Sequence, residues 1–209
     1  VKIPRFIVIN KNDRENADFD KVLAQLRERF GKAVVSMQIP VGQQADFKGQ
    51  VNVVNRKAFI GDKEAAVPGD LEARMNDERA KLMEVAAEAD DKLIEKFLNG
   101  EELTDDEVKL GFRLGLKAGT LVPVLCASAG NNIGVSYLLK FIADYAPSPL
   151  DAPAATAQNS ATKKEEKLTT SGTGPLAAFV FKTMADPYVG KLTYFRVYSG
   201  AIESDSRVI

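Results

Sequence analysis

The 209 residues contain no histidine, a single cysteine and almost no net charge. Without histidine, no imidazole is present to serve as a general base or a metal ligand. The lone thiol, Cys126, cannot form an internal disulfide framework, and within the apolar run 121–126 it reads as a small core residue. A formal charge of −1 excludes a global basic field of the kind that dominates nucleic-acid affinity, so any contact with RNA must come from local patches, and DNA is not an expected partner. No apolar stretch approaches the ~20 residues that cross a bilayer, and the start lacks a signal-peptide layout. These absences predict a cytoplasmic protein without membrane association. No side-chain cluster has metal-ligand spacing.

What is present is an ordinary globular composition. With 45% hydrophobic and 27% charged residues the chain can bury the cores of one or two compact domains. It opens at Val1 and runs directly into the strand-like Phe6-Ile7-Val8-Ile9. It stops at Arg207-Val208-Ile209, which reads as mid-strand, so the expectation is a piece of a larger protein.

Residues 5–9 are a short β-branched apolar run, and 18–30 place Phe19, Val22, Leu23, Leu26 and Phe30 at helical spacing behind a capping-type Asp18. Residues 33–40 and 50–60 read as strands punctuated by Gly42, Gly49 and Gly61, which suggests a small sheet. The composition then changes. Residues 62–107 hold sixteen Asp/Glu against six Lys/Arg over a helical pattern of Leu71, Met75, Leu82, Val85, Leu93 and Phe97. Such an acidic face serves either solvation or docking on a protein. Thr104-Asp105-Asp106-Glu107 predicts a capped helix to about Ala118; 121–126 reads as a buried strand and 133–145 as an amphipathic helix stopped by Pro147. Strand, helix, insertion, strand, helix is the order of an α/β nucleotide-binding domain with a segment inserted in it.

Residues 147–174 are rich in Pro, Ala, Ser and Thr and have no hydrophobic period, which predicts a linker or mobile loop. The charge run 163–167 within it reads as a solvated loop. Beyond it, 176–182 and 191–198 alternate as β-segments, and 202–209 is a candidate third strand, together the opening of an all-β domain. The aromatics Phe179, Phe181, Tyr194, Phe195 and Tyr198 fit either a barrel core or base stacking.

Chemistry concentrates at the end of the first strand, in Asn10-Lys11-Asn12-Asp13. A carboxylate at Asp13 can accept from both donors on the guanine Watson–Crick edge, N1–H and the exocyclic amino group, whereas adenine offers a mismatched pattern. The stem of Lys11 can lie against the base, and the Asn10 amide can tie the loop to its neighbours or reach the base. A second loop, Ala127-Ser128-Ala129-Gly130, follows the other buried strand, where the Ala129 backbone N–H can donate to guanine O6. Two loops at the carboxyl ends of parallel strands, one reading donors and one reading the acceptor, make a coherent base pocket.

Several segments agree in order and spacing with one family. Asn10-Lys11-Asn12-Asp13-Arg14, Leu121-Val122-Pro123-Val124, Ser128-Ala129, Asp144-Tyr145, Pro147 to Asp151, Met184-Ala185-Asp186-Pro187-Tyr188-Val189-Gly190-Lys191-Leu192 and Arg196-Val197-Tyr198-Ser199-Gly200 resemble bacterial elongation factor G across essentially the whole chain. The resemblance implies an α/β fold: a partial P-loop-type GTPase domain with an inserted α+β subdomain, followed by the start of a β-barrel domain. It implies that 1–32 and 119–146 belong to the GTPase domain, 33–118 to the insertion, 147–174 to the linker and 175–209 to the barrel.

It further implies Asn10, Lys11 and Asp13 as the fourth GTPase motif and Ser128 with Ala129 as the fifth. GTP or GDP is then the ligand, with Mg²⁺ held by residues outside this chain, and no catalytic residue is expected within it. The implied partners are the ribosome, through large-subunit stalk proteins and ribosomal RNA. The implied activity of the intact protein is GTP hydrolysis driving translocation. The alternatives are a paralogue in ribosome recycling or protection, and a non-hydrolysing stalk-binding module. Asn12 stands where the family often has Met, and Gly130-Asn131-Asn132 where a bulkier residue follows Ser-Ala; both lean toward a divergent paralogue. The phosphate loop, the switch regions and the switch histidine of the family have no counterpart in these residues.

Overall fold

A computed structural model describes residues 3–61, 63–159 and 162–207. The chain divides into two compact units, 1–146 and 147–209.

In the first unit, β1 (Ile7–Ile9) leads into α1 (Phe19–Phe30). Asp18 holds an extended backbone and accepts from the Lys21 N–H at 2.9 Å, and Arg27 and Arg29 sit in the last turn, where they complement the helix dipole. After a 3₁₀ turn come β2 (Val34–Ser36) and β3 (Gln38–Val41). The stretch 33–40 is therefore two strands rather than the one its periodicity predicts. At Met37 the chain changes sheets: its N–H donates to the Val124 carbonyl at 2.9 Å, while its carbonyl accepts from the Val53 N–H at 3.0 Å.

An antiparallel sheet follows, in which β3 pairs with β4 (Gly49–Asn52), β4 with β5 (Lys57–Ile60) and β5 with β6 (Lys63–Ala65). The expected run 50–60 is interrupted because the Asn52 Oδ1 accepts from the N–H groups of Val54 and Asn55, closing a side-chain turn that competes with the ladder.

Three helices come next, α2 (Gly69–Ala87), α3 (Asp91–Leu98) and α4 (Asp105–Ala118), the last with the capping box between Thr104 and Glu107. A β-carbon at Gly111 would lie 2.3 Å from the Ala86 carbonyl, so glycine is what lets α4 approach α2 this closely. Much of the acidic excess is answered within the fold: Asp77 pairs with Lys81, Glu78 with Arg27, Glu88 with Lys32, Asp105 with Arg79 and Glu107 with Lys96.

The unit closes with β7 (Val122–Cys126) and α5 (Val135–Tyr145). β7 is the centre of a parallel sheet of order β1-β7-β2, with Ile9 opposite Cys126 and Val34 opposite Val122. Every residue of β7 is buried, as a parallel strand covered on both faces requires. Alternation divides its side chains between two cores. Val122, Val124 and Cys126 meet Phe19 and Leu23 of α1, while Leu125 joins Met37, Ile39, Leu82, Phe112 and Phe141 on the other face.

In the second unit, residues 147–174 are not without structure. They contain β8 (Thr156–Gln158) and β9 (Glu165–Lys167), an antiparallel pair, so the charge run 163–167 is partly strand. Both strands are largely exposed, and the pair is held by polar contacts such as the Asn159 N–H to the Lys164 carbonyl at 2.9 Å, which leaves no hydrophobic period to detect. Next, β10 (Ala177–Asp186) and β11 (Gly190–Ser199), of ten residues each, form a hairpin. Its turn is fixed by the Asp186 carboxylate, which accepts from the N–H groups of Tyr188 and Val189. No closed barrel is formed among the described residues, and 202–207 hold no strand; the last two residues of that expected strand lie outside the described residues. Phe179 and Phe181 are about 60% exposed, so among the described residues of this unit these two aromatics are not buried in a core.

Candidate functional site

The register Ile7↔Val124, Val8↔Leu125, Ile9↔Cys126 brings the carboxyl ends of β1 and β7 side by side. The tetrad loop 10–13 leaves one strand and the loop 127–132 leaves the other. Their backbones interlock: the Ala127 N–H donates to the Ile9 carbonyl at 3.0 Å and the Asn12 N–H to the Ala127 carbonyl at 3.3 Å. Asn12 is buried, and its side-chain amide donates to both of those carbonyls.

The second loop is a closed turn. Ser128 and Ile133 exchange two backbone hydrogen bonds, each of 2.9 Å, and Asn132 holds a left-handed φ of 55°, a conformation that asparagine tolerates better than most residues. Ala129, Gly130 and Asn131 form its exposed tip.

The five expected site residues fall on these two loops. Asn10 is exposed, and its Oδ1 accepts from the Ala129 N–H at 3.0 Å. The Ala129 N–H, which the sequence offers to guanine O6, here donates to the Asn10 side chain, a tie between the loops of the kind expected of the Asn10 amide. Lys11 is exposed with φ 64°, a left-handed backbone that costs a non-glycine residue roughly 1–2 kcal/mol and is held here by the interlocked loops. The Asp13 side chain is 15% exposed, with the Arg14 Nε 3.8 Å away. The nearby Ser128 hydroxyl is the largest influence keeping the Asp13 carboxyl below the usual carboxylate range. Partial desolvation opposes it, and the Asp13 N–H, Arg14 and Lys11 add to the lowering. The Ser128 Oγ itself is buried and has no partner at full hydrogen-bonding geometry, so its effect on Asp13 is that of a nearby dipole.

Sequence reasoning missed one participant. The Asn131 Nδ2 donates to the Asp13 Oδ2 at 3.2 Å, across 118 residues of chain. The only signal was Asn131 itself, two places beyond Ala129 in a position treated merely as a departure from pattern.

Elsewhere in the first unit, a cavity of about 750 Å³ is lined by Gln50, Asn52, Phe59, Tyr137, Phe141 and Tyr145, among others. None of the five loop residues lines it, so cavity volume does not mark the site that the chemistry marks.

A carboxylate at Asp13 and a lysine stem at Lys11 thus stand on two interlocked loops at the carboxyl ends of adjacent parallel strands. The model of the elongation factor Tu GTP-binding domain matches residues 1–148. The chain belongs to that family. A crystal structure of a protein from Thermus thermophilus is similar at 30% identity and a TM-score of 0.74, over 95% of this chain and 28% of that one. The chain thus spans about a quarter of the length of that solved relative. The elongation factor Tu family accounts for the parallel sheet and for a guanine nucleotide as the ligand of such a domain. Among the described residues no group of three or more Cys, Asp or Glu is placed to hold a metal ion, and no helix is long and apolar enough to cross a membrane.

Proposed function

We propose that the chain is the base-reading part of an elongation-factor-G-type GTPase whose intact form hydrolyses GTP on the ribosome and drives translocation in the cytoplasm. The observation that carries this reading is the interlocking of the tetrad loop with the 127–132 loop through Asn10 and Ala129. In it, Asp13 accepts from guanine N1–H and the amino group, the Lys11 stem covers one face of the base, Asn10 acts as the brace between loops, and Ser128 with Ala129 forms the wall on the O6 side. The phosphates and Mg²⁺ of GTP are assigned to residues beyond these 209, which contain no Gly-x-x-x-x-Gly-Lys-Ser/Thr stretch. The segment 33–118 is assigned to stalk-protein docking and 175–209 to the opening of a domain that meets ribosomal RNA.

A second reading, a paralogue in ribosome recycling or protection, is favoured by Asn12, which stands where the family often has Met, and by Gly130-Asn131-Asn132, which follow Ser-Ala where a bulkier residue is usual. Translocation measured with the full-length protein separates the two.

The test of base reading is Asp13→Asn in the full-length protein. It replaces an acceptor by an amide that presents a donor, so guanine is rejected and xanthine, with oxygen at position 2, is accepted. Loss of a paired polar partner discriminates by roughly 10⁴-fold. A variant that keeps the original preference for GTP over XTP would remove Asp13 from the role.

A further inference from the structure

The Asp13 carboxylate already has a donor on it. Asn131 reaches across from the tip of the second loop and places its Nδ2 3.2 Å from the Asp13 Oδ2. A primary amide presents the same group to a carboxylate as the exocyclic amine of guanine: an sp² nitrogen carrying hydrogens in plane. We propose that Asn131 is a built-in surrogate for the guanine edge, a side chain that occupies Asp13 in the empty site, is displaced when the base docks, and so sets the affinity and lifetime of the bound nucleotide. This inference rests on Asp13 reading the base.

Three features of the loop support it. First, Asn131 is not the only group beside the carboxylate: the Arg14 Nε lies 3.8 Å from the same oxygen, and the Asp13 side chain is only 15% exposed. Removing Asn131 therefore frees an acceptor while Arg14 stays beside the carboxylate. Second, the surrogate sits where it can leave. Asn131 is exposed, and its neighbour Gly130 has open space where a β-carbon would be, so the tip can turn away without meeting a wall. Third, the base of the turn does not have to move with it. The two Ser128–Ile133 backbone bonds at the base and the Asn10–Ala129 bond at the first residue of the tip keep the loop registered on β1 and β7 while Asn131 swings.

An amide-to-carboxylate bond at 3.2 Å on an exposed side chain is weaker than the paired bonds of guanine, so the surrogate tunes binding and does not block it. Guanine must displace one long, exposed hydrogen bond on docking, which contributes at the lower end for such bonds, a competition of about three- to tenfold. The effect is specific to the base, because the competitor takes an acceptor that xanthine cannot use with a donor at position 2.

The test is Asn131→Ala in the full-length protein, with dissociation constants and dissociation rates for GDP and XDP, alone and combined with Asp13→Asn. The expected result is GDP bound about three- to tenfold tighter, mostly through slower dissociation, with XDP unchanged. In the Asp13→Asn background the same change should do nothing. GDP affinity unchanged or weakened by Asn131→Ala, while Asp13→Asn still rejects guanine, overturns the surrogate and leaves base reading intact. GDP and XDP tightened equally means a general loosening of the loop and likewise overturns it. If Asp13→Asn leaves guanine preference untouched, base reading fails and the surrogate falls with it.

Discussion

The buried amide of Asn12 donates to the carbonyls of Ile9 and Ala127, tying the last residue of β1 to the first residue beyond β7. The third place of the tetrad is thus a strut between the two loops. Each carbonyl keeps a backbone partner, so neither is orphaned when the amide is removed. Asn12→Ala should cost about 1–2 kcal/mol in urea unfolding. Asn12→Asp should cost more, because a carboxylate there faces two carbonyl oxygens. If the aspartate variant is as stable as the alanine variant, the contact is incidental.

Arg27 and Glu78 make a two-pronged ion pair, with Nη1 to Oε1 at 3.0 Å and Nη2 to Oε2 at 2.5 Å, joining α1 to α2. Burial works against ionising Glu78, but Arg27 and Lys81 outweigh it and hold the carboxyl below its ordinary value. Glu78 is the more buried partner, so removing the arginine strands the charge that tolerates it least. Arg27→Met should cost about 2–4 kcal/mol, below the full cost of breaking a buried pair because Arg27 is partly exposed and Lys81 remains. Adding Glu78→Leu should return much of that loss. A double variant less stable than Arg27→Met alone would show that the charges are net stabilising where they sit.

Glu107 gives a pH dependence of definite sign. Lys96 and then the Thr104 backbone and hydroxyl lower its pKa from 4.5 to about 2. A carboxyl whose folded pKa is depressed contributes stability that is present above its unfolded value and is lost as pH falls through the folded one. The stability difference between the wild type and Glu107→Gln should therefore be constant above about pH 5.5 and shrink between about pH 4.5 and about pH 2. Because the pair is partly exposed, salt should weaken it. A difference in urea midpoint that is the same at about pH 3 as at about pH 6 would remove Glu107 from this role.

The parts of the fold that were legible in the sequence are those whose burial imposes a period. α1 and α4 carry caps and apolar stripes, and β7 is a short apolar run buried on both faces, so each could be placed from residue types alone. What escaped depends on polar side chains acting across the chain. Asn52 breaks 50–60 into a hairpin, Met37 divides its backbone bonds between two sheets, and Asn159 holds a pair of exposed strands where no hydrophobic period exists. The site shows the same division. The two loops were legible as strand ends, but the capture of the Ala129 N–H by Asn10 and the reach of Asn131 to Asp13 need the register of β1 against β7, which no local pattern encodes.

The 209 residues taken alone should bind guanosine and GTP with nearly equal and weak affinity. The base reader offers Asp13 as a charged acceptor for two donors, at about 1.5–3 kcal/mol for each such bond. That sum, about 3–6 kcal/mol, is set against the cost of immobilising the ligand and displacing Asn131, and leaves less than the ~4 kcal/mol of a millimolar complex. The triphosphate should add little, because the phosphate of such a nucleotide is gripped by the backbone of a glycine-rich loop and by a lysine, and the 209 residues contain no such stretch. Calorimetric titration of residues 1–209 with guanosine, GDP and GTP measures this directly. Dissociation constants within about threefold of one another are expected, with no release of phosphate from GTP. If GTP binds about a hundredfold tighter than guanosine, a difference of about 2.7 kcal/mol, then residues within 1–209 hold the phosphates, and the division of labour between this chain and the rest of the protein must be redrawn.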